Sequence, residues 1–221
     1  INFKNLYYLF FIYIYIYKYI YINMIYDYDI NTIVLGPPCS GKSLFIRTYL
    51  NKQINYKSST IGVDFKKISL EYNDLFFRLK LWNTGNGLLY INILIDYLKL
   101  SKFYIIIDKT TSYDFILQIS NLIQLSNDII YPNHIIIIHN NYETHDFKYD
   151  ESYIQTLFPN INISFFYIDI SSKIKVNSVF DHIKHYIYNL YKTQNLILPQ
   201  PKQQKQKLLN NHNSCFCCSI C

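Results

Sequence analysis

The sequence predicts a three-layer α/β domain, a six-stranded, mostly parallel sheet with helices on both faces. Three observations predict it. From Asn31 onward, apolar runs of strand length alternate with longer helix-like stretches, the order that parallel strands joined by crossover helices produce. Runs such as Ile135 to Ile138 are apolar at every position, as strands covered on both faces are. Asn73 and Asp74 separate two β-rich runs, which implies a tight hairpin and therefore one antiparallel strand.

The elements follow in order. A first strand at Thr32–Leu35 stops at Gly36, and a helix starts at Lys42. Strands at Phe65–Tyr72 and Leu75–Trp82 flank the hairpin, with a helix near Leu88. The apolar runs Phe103–Ile107, Ile135–Ile138 and Ile163–Ile168 supply the remaining strands, and helical stretches at Tyr113–Leu125, near Tyr153 and at Val176–Tyr191 alternate with them.

A chain of 221 residues, half of them apolar, is long enough for one such domain with tails. The net charge of +6 is spread along the chain, which argues against a nucleic-acid partner. Of five cysteines, Cys39 stands alone and Cys215, Cys217, Cys218 and Cys221 crowd the last seven positions, a spacing that builds no disulfide framework and points to a reducing cytosol. Residues 1–23 form a low-complexity Ile/Tyr segment in which Lys18 is the only charge between Leu6 and Ile22. A membrane span of that length is marginal, and each tyrosine hydroxyl would need a partner in the bilayer. Alternating A and T bases translate as Ile-Tyr, so the segment is expected to be translated non-coding sequence, with the domain beginning at Met24 and running over 24–192. Residues 193–221, including PQPKQQKQK at Pro199–Lys207, are expected to be a flexible tail.

Gly36–Ser43 reads GPPCSGKS, a match to GxxxxGK[ST] between a short apolar strand and a helix, which extends the expectation to a P-loop NTPase fold. A chance glycine-lysine turn would not fall between a strand and a helix. Such a loop wraps the N–H groups of Cys39, Ser40, Gly41, Lys42, Ser43 and Leu44 around phosphate at a helix N-terminus. Lys42 reaches the β- and γ-phosphates, and Ser43 offers its hydroxyl to Mg2+. Pro37 and Pro38 have no N–H to give.

The loop alone does not choose among kinases, ATPases and GTPases. From Thr60 the chain reads TIGVDFKKI, and from Leu79 it reads LKLWNTGNG. These resemble switch I and the switch II entry (KLQIWDTAGQE) of the Rab family of small GTPases; the resemblance covers roughly Ile30 to Tyr191 and is anchored by the order and spacing of motifs. It implies that Thr60 meets Mg2+ and the γ-phosphate in the triphosphate state, and that Ile61, Gly62, Val63, Asp64, Phe65 and Trp82 form the effector surface. Switch II departs from the family: Asn83 replaces the aspartate that positions Mg2+ through water, Asn86 the γ-phosphate-sensing glycine, and Gly87 the glutamine that orients the attacking water. The guanine-reading NKxD falls on Asn140, Asn141, Tyr142 and Glu143, and the SAK motif on Ser171, Ser172 and Lys173.

The tail CFCCSIC resembles the double-cysteine endings on which Rab proteins carry geranylgeranyl groups, with Cys217, Cys218 and Cys221 as candidates and Lys202, Lys205 and Lys207 assisting. A zinc knuckle would need a loop between its ligand pairs. The resemblance implies a GTP/GDP switch in vesicle-mediated transport, lipid-anchored on the cytosolic face of an intracellular membrane and hydrolysing GTP slowly. Its partners would be effector, exchange-factor and GTPase-activating proteins. The alternatives are a hydrolysis-defective module that recruits effectors, or a P-loop nucleotide kinase, for which Arg47 and Arg78 supply too few arginines.

Overall fold

The computed structural model describes residues 28–52, 62–73, 75–85, 91–125, 130, 132–140 and 147–194. Of the residues singled out above, 1–23, Met24, Thr60, Ile61, Asp74, Asn86, Gly87, Leu88, Asn141, Tyr142, Glu143 and the tail from 195 to 221, with its lysines and cysteines, lie outside that set.

The chain runs β1 (Tyr28–Leu35), α1 (Lys42–Tyr49), β2 (Val63–Tyr72), β3 (Leu75–Thr84), α2 (Ile91–Leu100), β4 (Phe103–Asp108), α3 (Asp114–Gln124), β5 (His134–Asn140), α4 (Glu151–Leu157), β6 (Asn162–Ile168) and α5 (Lys173–Gln194). All six expected strands form one sheet in the order β2-β3-β1-β4-β5-β6. β2 runs antiparallel to β3, with Tyr72 opposite Leu75, and every other pair is parallel. Asn73 makes the turn at φ +47°, a conformation asparagine tolerates better than most side chains. α5, the longest helix among the described residues, runs to Gln194.

Each sheet face has its own core. On one, β1, β3 and β4 present Val34, Leu79, Leu81 and Ile105 to Phe45 of α1 and to Val176, Val179, Phe180, Ile183 and Ile187 of α5. The α5 residues recur at helical spacing and form one apolar stripe. Phe45 and Tyr49 stack on Phe180 with ring centroids 5.3 and 3.6 Å away. On the other face, Ile33, Leu35, Ile106 and Ile137 meet Leu94 and Leu98 of α2 and Phe115, Ile116 and Ile119 of α3. Because both faces are covered, β4 and β5 are buried at every position, as the isoleucine run implied. Arg78 and Lys80 of β3 both pair with Asp29 of β1, at 2.6 and 2.7 Å, and hold its carboxyl down to about 2. Among the described residues no helix is long and apolar enough to cross a membrane.

β1 lies between β3 and β4, and the chain turns one way from β1 to reach β3 and the other way from β3 to reach β4. In open α/β sheets the crevice at the carboxyl ends of such strands is where ligands bind. The expected phosphate loop lies there, between β1 and α1.

Candidate nucleotide-binding site

Two glycines let the loop approach its neighbours. Gly36 has φ +154°, and a Cβ on it would lie 2.1 Å from the Ile107 carbonyl oxygen at the end of β4. Gly41 has φ +104°, and a Cβ there would lie 2.2 Å from Ile170 Cδ1. Between them Cys39 takes φ +59° despite its side chain, and Ser40 N donates to Pro37 O at 3.3 Å.

Lys42 opens α1 with 7% of its surface exposed. Its Nζ folds back to donate to Gly36 O at 2.8 Å and Pro37 O at 2.9 Å. Burial pushes the ammonium down to about 8, and neighbouring Cys39 and Asp108 oppose that shift. Asp108, fully buried at the end of β4, accepts from Lys109 N at 2.7 Å, Thr110 N at 2.9 Å and Thr110 Oγ1 at 3.0 Å. Sequence reasoning passed over Asp108, although an acidic residue closing the apolar run FYIIID was the signal for it.

Asn83 pairs in register with Val34, so it sits beside the end of β1. It is 1% exposed; its Nδ2 donates to Ser43 Oγ at 3.0 Å, and its Oδ1 has no hydrogen-bond partner among the described residues. A serine hydroxyl beside an unpartnered buried carbonyl oxygen fits a hard cation that takes oxygen ligands directly or through water. The fit comes without a carboxylate at position 83.

Asn140 closes β5 and ties two loops together: its Nδ2 donates to Ser40 O and its Oδ1 accepts from Ile170 N, both at 3.4 Å. The residue so held is Ile170, which directly precedes the Ser171-Ser172-Lys173 triplet. Ser171 donates its N–H and hydroxyl to Asp169 Oδ1 at 2.8 and 2.7 Å, and Ser172 N donates to Asp169 O at 3.1 Å. Lys173 points elsewhere: its Nζ donates to Thr48 O and Tyr49 O at the end of α1 and lies over the Tyr49 ring. Asn140 meets the second residue after β6, and by the fifth the chain has already begun α5.

On the outer side of β2 and β3, Phe65 lies 4.3 Å from Trp82, and Trp82 lies 4.8 Å from Tyr97 of α2, centroid to centroid. All three are half-buried. Sequence reasoning found Phe65 and Trp82 and missed Tyr97, whose place on the inward face of α2 next to Leu94 and Leu98 was the available signal. Gly62, at φ +73°, accepts from Gly85 N at 2.8 Å, joining the start of β2 to the end of β3, while Asp64 pairs with Lys66 at 2.7 Å.

A buried lysine and a serine at the head of a helix, set at the carboxyl ends of parallel strands, define a phosphate-loop nucleotide-binding protein. The Ras family model matches residues 31–189, and the chain belongs to that family, as a Rab-like small GTPase of the Ras superfamily. Ras-related protein Rab-7B of Dictyostelium discoideum is 26% identical over 196 residues, covering 84% of this chain and 96% of its own. Ras-related protein RabQ of the same organism is 24% identical over 186 residues, covering 82% and 91%. Among solved structures, Roco2 RocCORdC of Methanosarcina barkeri bound to GDP aligns with a TM-score of 0.57 at 15% identity, a likeness of fold alone. It covers 73% of this chain, which spans 49% of that one.

Proposed function

We propose that this chain is a guanine-nucleotide switch of membrane traffic that binds GTP and GDP and hydrolyses GTP slowly. The observation that carries the reading is the braced phosphate loop, with Lys42 folded onto the Gly36 and Pro37 carbonyls and Asn140 tying Ser40 to Ile170. On polyphosphate binding Lys42 Nζ exchanges those carbonyls for phosphate oxygens, and the N–H groups from Cys39 to Leu44 complete the cradle. Ser43 Oγ and Asn83 Oδ1 are the atoms that would hold Mg2+, which supplies charge neutralisation at the phosphates when bound. Ser171, Ser172 and Lys173, directly after Ile170, would offer backbone N–H groups to the base, and Asn140, Asn141 and Glu143 would read its guanine edge.

Slow turnover follows from chemistry in which the protein mainly positions water and stabilises charge. Gly87 has no side chain to hold a water, and Asn83 brings no carboxylate. Thr60 would report the γ-phosphate, and Ile61, Gly62, Val63, Asp64, Phe65, Trp82 and now Tyr97 would present the result to effectors. Cys217, Cys218 and Cys221 would carry the lipid that holds the switch on the cytosolic face of a membrane, where exchange factors and GTPase-activating proteins act on it.

Single-turnover hydrolysis tests this reading. Gly87→Gln with Asn83→Asp should raise the rate on the order of 10²-fold, the scale set by correct placement of a reacting group. An unmodified protein that already matches the double variant would show that another residue positions the water.

A further inference from the structure

The Asn83–Ser43 pair bears on how tightly bound nucleotide depends on a divalent cation, an inference that rests on the nucleotide reading above. A carboxylate at position 83 would present two acceptors, one for the serine hydroxyl and one for a metal-bound water, and would add a negative charge. The Asn83 amide presents one donor and one acceptor. Its Nδ2 donates to Ser43 Oγ at 3.0 Å, taking up electron density on the oxygen a cation would use, and only the buried Oδ1 remains to accept from water. Turned the other way, the amide would accept from Ser43 and aim its N–H2 at the cation's water shell, which is worse for the metal. Either way position 83 presents a neutral group, so a cation held there has its negative charge supplied by the phosphates alone.

The groups that hold the loop itself do not depend on a cation. Lys42 bonds to Gly36 O and Pro37 O, and Asn140 joins Ser40 O to Ile170 N. The α1 N-terminus adds backbone N–H groups and the positive end of its dipole.

We propose that Asn83 shifts nucleotide retention from the cation to the protein, so that GDP is held mainly by Lys42, the loop and the α1 N-terminus, with the divalent ion a weak accessory. Asn83 acts here as a positioning residue, through Ser43 and a water.

The test loads the full chain with a fluorescent GDP analogue and follows its release into excess unlabelled GDP, with Mg2+ present or with a chelator. Outer partners of a metal typically change its affinity 10- to 100-fold, so chelation should speed release from Asn83→Asp by about tenfold or more and from the unmodified chain by about twofold or less. Equal acceleration in both proteins overturns the proposal. Calorimetric titration of Mg2+ into the GDP-loaded unmodified chain decides the matter even if the variant fails to fold. Affinity no greater than that of free GDP for Mg2+ supports the proposal, and a distinctly tighter site overturns it. Failure of the unmodified chain to retain the GDP analogue with Mg2+ or with chelator would sink the nucleotide reading and this inference with it, whereas chelator-sensitive retention sinks the inference alone.

Discussion

Raising the pH should weaken nucleotide binding through a single buried group. Lys42 sits with 7% of its surface exposed, and burial lowers it from the ordinary 10.5 to about 8. The sign for the ligand-free protein follows directly. The folded state binds the proton less tightly than the unfolded chain, so stability is withheld below about 8 and recovered as pH rises from about 8 to 10.5. At neutral pH the burial costs about 3 kcal/mol on the scale of about 1.4 kcal/mol per pH unit. Binding runs in the opposite direction, because polyphosphate needs the ammonium. If only the charged form binds, the competent fraction is about 0.9 at about pH 7 and about 0.25 at about pH 8.5, and affinity should fall about fourfold between them. The assay is equilibrium titration of a fluorescent GDP analogue at constant ionic strength. Lys42→Arg, whose guanidinium stays charged, serves as the reference that removes the titration of the ligand itself. A flat affinity for the unmodified protein over that range, or the same slope in Lys42→Arg, would refute the assignment of Lys42 as a buried, titrating phosphate ligand.

Asn140→Ala leaves Ser40 O and Ile170 N without their shared partner, so it should cost about 1–2 kcal/mol in denaturant unfolding and weaken GDP binding as well, whereas Ser171→Ala, which removes a hydroxyl that donates to Asp169, should do neither. Phe65→Ala and Trp82→Ala should each lower the melting temperature, and because the rings touch, the double variant should cost about 0.5–1.5 kcal/mol less than the sum. Lys173→Met should destabilise the fold, through the lost Thr48 and Tyr49 contacts, with nucleotide affinity unchanged; a selective loss of affinity would give the Lys173 side chain a direct part in nucleotide binding. Changing Cys217, Cys218 and Cys221 to Ser should move the protein from the membrane fraction to the cytosol in a fractionation experiment, and unchanged partitioning would remove the lipid anchor.

Much of the architecture was legible because the physics that builds it is local. A strand covered on both faces has to be apolar throughout, and FYIIID and HIIIIHN announce themselves in any reading of the chain. The phosphate loop was legible for a related reason: glycine is required where Gly36 meets Ile107 O and where Gly41 takes φ +104°, so the spacing of the two glycines carries the geometry. What sequence could not supply was reach across the sheet. That Asn140 Oδ1 accepts from Ile170 N is fixed by where β6 ends and how far the amide extends, which no motif in the sequence states. Tyr97 escaped notice because its contact with Trp82 joins a helix to a strand, and helical periodicity assigns a face without naming the neighbour. Asn83 was recognised as a departure, but that its amide donates to Ser43 and leaves an oxygen unpartnered is a property of the fold.

The central claim is that this loop holds guanine nucleotide, and competition binding tests it most directly. A fluorescent GDP analogue bound to the full chain should be displaced by GDP and GTP at similar concentrations and by ATP only at much higher ones, with binding lost in Lys42→Ala. Displacement by ATP as readily as by GTP, or binding that survives Lys42→Ala unchanged, would contradict the account.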